Sequence, residues 1–114
     1  MKRILMVMLV MSWASPGWAG FKAGNELFAE CQVAKTDNTY YQRGYCLGYI
    51  VGAFDASAGA DGGVGGITFC APVGVESGQV QDIVVKWLDD NPQHRHHSAH
   101  SLVAAALSEV WPCP

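Results

Sequence analysis

The sequence is short of basic residues and lacks the motifs of common enzyme classes. Seven Lys and Arg stand against ten Asp and Glu in 114 residues, for a formal net charge of −3, and no basic patch is present. This balance argues against a nucleic-acid partner. There is no H-E-x-x-H pattern, serine-centred elbow, phosphate loop or EF-hand. We therefore expect neither an enzyme nor a cofactor.

Long apolar runs are also scarce, and the main one is too short to span a bilayer comfortably. It covers residues 4–13, follows Lys2 and Arg3, and leads into the small-x-small site Gly17-Trp18-Ala19. A charged start, a short apolar run and a cleavage site in this order predict a signal peptide over residues 1–19. The remaining residues, 20–114, form one small domain, with no membrane contact expected after cleavage.

Cysteines are few but even in number. The four are Cys31, Cys46, Cys70 and Cys113. In an exported chain such a set predicts two disulfides, although the count alone allows three connectivities.

The apolar periodicity predicts four helices, and no pair of strands stands out. We expect helices over residues 25–34, 41–58, 76 or 77 to 91, and 96 or 98 to 111. The predicted fold class is all-α, a small four-helix bundle stapled by two disulfides.

The order of the helices favours one cysteine pairing. A short connection makes helices 1 and 2 antiparallel, which brings Cys31 near Cys46. Helices 3 and 4 form a second antiparallel pair, which brings Cys70 near Cys113. Both pairs can meet the distance that a disulfide requires.

Three glycines, Gly44, Gly48 and Gly52, recur every four residues along the second predicted helix. Each one costs a helix up to about 1 kcal/mol relative to alanine. Their regular spacing suggests that the cost is compensated, and we predict that they form a close-packing face inside the bundle.

Four histidines lie within seven residues: His94, His96, His97 and His100. On a helix, His96 or His97 could share a metal ion with His100. A polar helix start with exposed histidines is the simpler interpretation, so these three are weak metal candidates only.

The end of the third helix carries two adjacent carboxylates, Asp89 and Asp90. Carboxylates there oppose the helix dipole and do not help folding. A solvated surface is one interpretation. The other is contact with a partner protein.

A set of short motifs recurs in one order along the chain: Gly24-Asn25-Glu26-Leu27 with Cys31, Gly44-Tyr45-Cys46-Leu47-Gly48-Tyr49-Ile50-Val51-Gly52, Phe69-Cys70-Ala71-Pro72, Val75, Gln79, Asn91-Pro92, Ser98-Ala99, Leu102-Val103, Ala106-Leu107 and Trp111-Pro112-Cys113. In these residues the chain resembles the Rap/Tai immunity proteins of type VI secretion systems.

This resemblance implies a helical, disulfide-linked periplasmic protein that binds and occludes the active site of a peptidoglycan amidase effector. It also implies a possible homodimer. The effector-binding candidates are Asp89, Asp90, Asn91, Gln93 and Arg95, in the polar turn between helices 3 and 4. The alternatives are a small envelope metal-binding or stress protein that uses the His94–His100 cluster, and a structural subunit that only oligomerises.

Overall fold

A computed structural model describes residues 21–36, 40–58 and 66–114. The predicted signal peptide over residues 1–19 and the start of the domain at residue 20 lie outside these residues. Four α-helices follow one another: α1 (Gly24–Thr36), α2 (Tyr40–Ser57), α3 (Ser77–Asp90) and α4 (Ala99–Val110). The all-α prediction is confirmed, and the observed bounds lie within three residues of the predicted ones.

The four helices enclose one core, and every pair of them is in contact. α3 is the most clearly amphipathic, with Val80, Val84 and Leu88 recurring at a helical spacing on its buried face. The largest fully buried side chains come from all four helices and from the segment before α3. They are Phe69, Leu27, Ile50, Leu88, Leu107, Val84 and Val103.

Two disulfides, Cys31–Cys46 and Cys70–Cys113, close the bundle, and they are the pairs that the helix order favours. The first joins α1 to α2 inside the core, where Cys31 is 2% exposed and Cys46 is fully buried. The second ties the segment before α3 to the chain after α4. A backbone hydrogen bond of 2.8 Å from the Cys70 amide to the Trp111 carbonyl runs beside it.

The start of α1 is fastened to the segment that leads into α4. The amide of Gly24 donates to the His97 carbonyl at 2.8 Å, and the amide of Asn25 donates to the Arg95 carbonyl at 2.7 Å. The amide of Ala99 in turn donates to the Lys22 carbonyl at 2.8 Å. Because these bonds satisfy orphan amides of both helix starts, they fix α1 and α4 relative to each other.

Within the described residues, no helix combines the length and apolarity that crossing a bilayer would require.

Candidate functional site

The α3–α4 turn presents three of the five predicted contact residues to solvent. α3 ends at Asp90, and a single 3-10 turn over Pro92–His94 follows. Asp89, Asp90 and Gln93 are exposed. The Asp90 carboxylate accepts a 2.7 Å bond from the Lys86 ammonium one helical turn earlier, an exposed pair that adds little stability. This hydrogen bond and the negative charge of Asp90 raise the pKa of Lys86.

Asn91 is half-buried and shapes this turn from within. Its side-chain amide donates to the Trp87 carbonyl at 2.8 Å, which caps one of the orphan carbonyls at the end of α3. The side-chain oxygen of Asn91 accepts a hydrogen bond from the side-chain amide of Gln93 at 3.3 Å. Asn91 therefore positions the turn, while Gln93 stands at its exposed edge.

Arg95 does not belong to the exposed edge where the sequence placed it. The residue is half-buried, and its guanidinium lies 4.2 Å from the centroid of the Phe28 ring. A cation over an aromatic face is attracted by the ring quadrupole, so the side chain folds back onto α1. Its backbone carbonyl also accepts the bond from Asn25. Arg95 therefore links the turn to α1, and its guanidinium is directed at Phe28.

The histidine cluster is divided between the α3–α4 turn and the first turn of α4. The His96 and His97 rings are tilted against each other with centroids 4.1 Å apart, and His94 stacks with Trp87 at a centroid distance of 6.1 Å. His100, by contrast, is half-buried on the first turn of α4. No group of three or more metal-ligating side chains is gathered in the described part of the chain. His96 and His97 precede α4 and do not share a helix with His100, so the helical pairs that made these three weak metal candidates do not form. Metal binding by these histidines stays a prediction.

The glycine stripe of α2 faces outward, and the predicted close-packing face inside the bundle is wrong. Among the described residues, a Cβ atom added at Gly44, Gly48 or Gly52 would meet nothing within 4 Å. The opposite face of α2 carries the buried residues Cys46 and Ile50. The helix therefore turns its large side chains to the core and its glycines to solvent.

Two tyrosines border this outward face. Tyr41 and Tyr45 are 71% and 44% exposed, and their ring centroids lie 5.8 Å apart, one helical turn from each other. Exposed aromatic side chains are common in protein contact surfaces.

The half-buried Lys22 lies over the ring of Tyr45. The Lys22 ammonium bonds the Glu30 carboxylate and lies 4.4 Å from the Tyr45 ring and 5.7 Å from the Tyr49 ring. Burial alone would lower the pKa of Lys22, but the hydrogen bond and the charge of Glu30 outweigh it and raise that pKa. For Tyr49, whose charged form is the anion, burial raises the pKa. This cluster fastens the N-terminal segment to α1 and α2.

A groove of about 680 Å³ lies between α1, α2 and α3. Two smaller concavities measure about 150 and 170 Å³. Charged residues line its walls and apolar residues its floor. The lining residues are Cys31, Ala34, Lys35, Arg43, Leu47, Gln81, Asp82, Val85, Lys86 and Asp89. Sequence reasoning missed this groove because three separate helices build it, and no single stretch of sequence signals it.

The fold and its surfaces define the class: a small helical protein stapled by two disulfides, with charged and aromatic surfaces open to contact. The chain belongs to the Rap1a immunity proteins, since the model of that family matches residues 23–113. Immunity proteins are not enzymes, and each implies a cognate effector as partner. The disulfides and the family together indicate an envelope protein. The comparison with curated proteins gives no match.

Proposed function

We propose that this chain is a periplasmic immunity protein that binds a type VI secretion amidase effector and occludes its active site. The observation that carries the proposal is the family match over residues 23–113, which covers every described helix. The two disulfides support export, because such bonds persist in oxidising compartments. The predicted signal peptide over residues 1–19 supplies the route.

We place the first effector contact at the α3–α4 turn. Asp89, Asp90 and Gln93 are exposed there, on a turn that Asn91 holds from within. Charges at the rim of an interface steer association and set specificity. Replacing both aspartates with lysine should therefore slow association and weaken binding to the amidase by about tenfold. Unchanged affinity would remove the two carboxylates from the interface.

A rescue experiment in cells tests the proposed function. The amidase-like product of the neighbouring gene is sent to the periplasm of a test bacterium, with or without this protein carrying residues 1–19. We expect protection from lysis by the exported form, and none by a cytoplasmic control that begins at residue 20. Lysis despite good periplasmic levels of folded protein would reject that amidase as the target.

We also propose self-association as a secondary property, through the exposed α2 face. Glycines let two helix backbones approach closely, and exposed tyrosines supply contact area. Sedimentation across a range of protein concentrations measures it. A monomer at every concentration would reject this part of the proposal and leave the inhibitor role standing.

A further inference from the structure

The groove between α1, α2 and α3 carries an inference about the partner that it accepts. Its volume of about 680 Å³ falls within the range of clefts that enclose a ligand-sized body. Its floor is apolar: Leu47 is half-buried, Val85 is 8% exposed, and the Cys31–Cys46 disulfide lies beneath. An apolar floor within a polar rim is the usual composition of a protein contact site.

The two walls of the groove differ in net charge. Lys35 and Arg43 stand on the wall formed by α1 and α2. The wall formed by α3 carries Asp82 and Asp89, with Lys86 between them, and the Lys86 ammonium bonds Asp90 at 2.7 Å. The two walls do not pair with each other: within the described residues, no basic group of the first wall lies within 4.0 Å of a carboxylate of the second. A partner that enters the groove can therefore meet unpaired charges of both signs.

The groove also adjoins the proposed contact surface. Asp89 belongs both to the groove and to the end of α3 that leads into the exposed turn. An effector seated on the turn is thus directly beside the groove mouth, and one continuous surface joins the two.

We propose that the groove receives one projecting segment of the amidase effector. A basic side chain of that segment meets Asp82 and Asp89, and an acidic side chain meets Lys35 and Arg43. This inference rests on the proposed function and adds to it the site that the effector segment enters and the charge pattern of that segment.

The test measures the affinity of the purified, oxidised protein for the amidase that the wild type protects against. The key variant exchanges the two signs across the groove, Arg43→Glu together with Asp82→Lys, so that the net charge is unchanged. Long-range steering, which depends on the summed charge, is then largely preserved, and the local pattern is inverted. The single variants Arg43→Glu and Asp82→Lys accompany it.

The matched control is Glu76→Lys, the same charge change as Asp82→Lys at an exposed position before α3 that does not line the groove. Circular dichroism and urea unfolding verify that each variant is folded. We expect each single groove variant to weaken binding at least about tenfold, the exchanged variant to weaken it further, and the control to stay within about twofold.

Two results would overturn the proposal, and only one of them would also overturn the proposed function. If the wild type binds the amidase and all folded groove variants bind within twofold of it, the groove is not in the interface and the proposed function survives. If the folded wild type binds no amidase at all, the proposed function falls, and this inference falls with it.

Discussion

Two glycines of the same chain should respond to alanine with opposite signs. Gly24 begins α1, and a Cβ atom there would lie 2.8 Å from the Arg95 carbonyl oxygen and would also collide with the Leu102 side chain. Gly48 lies in the middle of α2, where an added Cβ meets nothing within 4 Å in the part of the chain that the structure describes. Helix propensity alone would make both substitutions stabilising.

The magnitudes follow from what each methyl group meets. At Gly48, alanine should raise the free energy of unfolding by about 0.5–1 kcal/mol, since only backbone entropy changes. At Gly24, a backbone oxygen cannot rotate away as a side chain can, so the start of α1 must shift. Overpacking of this kind costs about 1–3 kcal/mol. The shift also strains the bonds from Gly24 to His97 and from Asn25 to Arg95, each contributing about 1 kcal/mol.

Urea unfolding of the oxidised domain, followed by circular dichroism, measures both effects. The two variants should differ by about 3 kcal/mol, or about 2 M in midpoint for an m-value of about 1.5 kcal/mol/M. Working at concentrations where sedimentation shows a monomer keeps any α2 self-association out of the result. A Gly24→Ala protein as stable as the wild type would refute the close approach of α1 to the segment before α4.

The remaining predictions concern the lysine cluster and the outer disulfide. The pKa values of Lys22 and Tyr49 are raised in the folded protein, so folding favours the protonated forms of both side chains. The resulting stabilisation is fully present below their ordinary pKa values of 10.5 and 10.0. It is lost as the pH rises through the pKa values of the folded state. The urea midpoint should therefore fall above about pH 10, and Lys22→Met should flatten that fall; a decline of equal steepness in the variant would contradict the assignment. Replacing Cys70 and Cys113 with alanine opens a loop of 43 residues and should cost about 4 kcal/mol on the loop-entropy model. A loss below about 1 kcal/mol in urea unfolding would show that this bridge is marginal.

The fold was predictable because its signals are local and repeated. The spacing of Val80, Val84 and Leu88 identifies α3 from sequence alone, and Pro92 marks where that helix must stop. The cysteine pairs followed from the helix order, because short connections force antiparallel neighbours.

The placement of the α2 glycines was not predictable in the same way. Ile50 and the glycines share one helix, and only the observed packing tells which of its faces meets the core. The physical reason is that a core gains more from burying Ile50 and Cys46 than from a smooth stripe of glycines. Across residues 21–36, 40–58 and 66–114, no second backbone comes within 4 Å of a Cβ placed at these glycines.

The candidate site was predictable only in part. The exposed carboxylates at the end of α3 could be read from their position relative to Pro92. The inward position of Arg95 could not be predicted, because its contact partner Phe28 lies on α1, far away in sequence. The groove could not be predicted from the sequence for the same reason. Arg43 and Asp82 face each other across the groove only after three helices have packed together.

The most direct test of the central claim is the inhibition of the amidase by the purified protein. Peptidoglycan hydrolysis by a fixed amount of the cognate amidase is followed while the oxidised domain is added in increasing amounts. We expect the amidase activity to fall in proportion to the inhibitor added and to reach baseline when the binding sites are saturated. Full hydrolysis in the presence of excess folded, oxidised domain would contradict it.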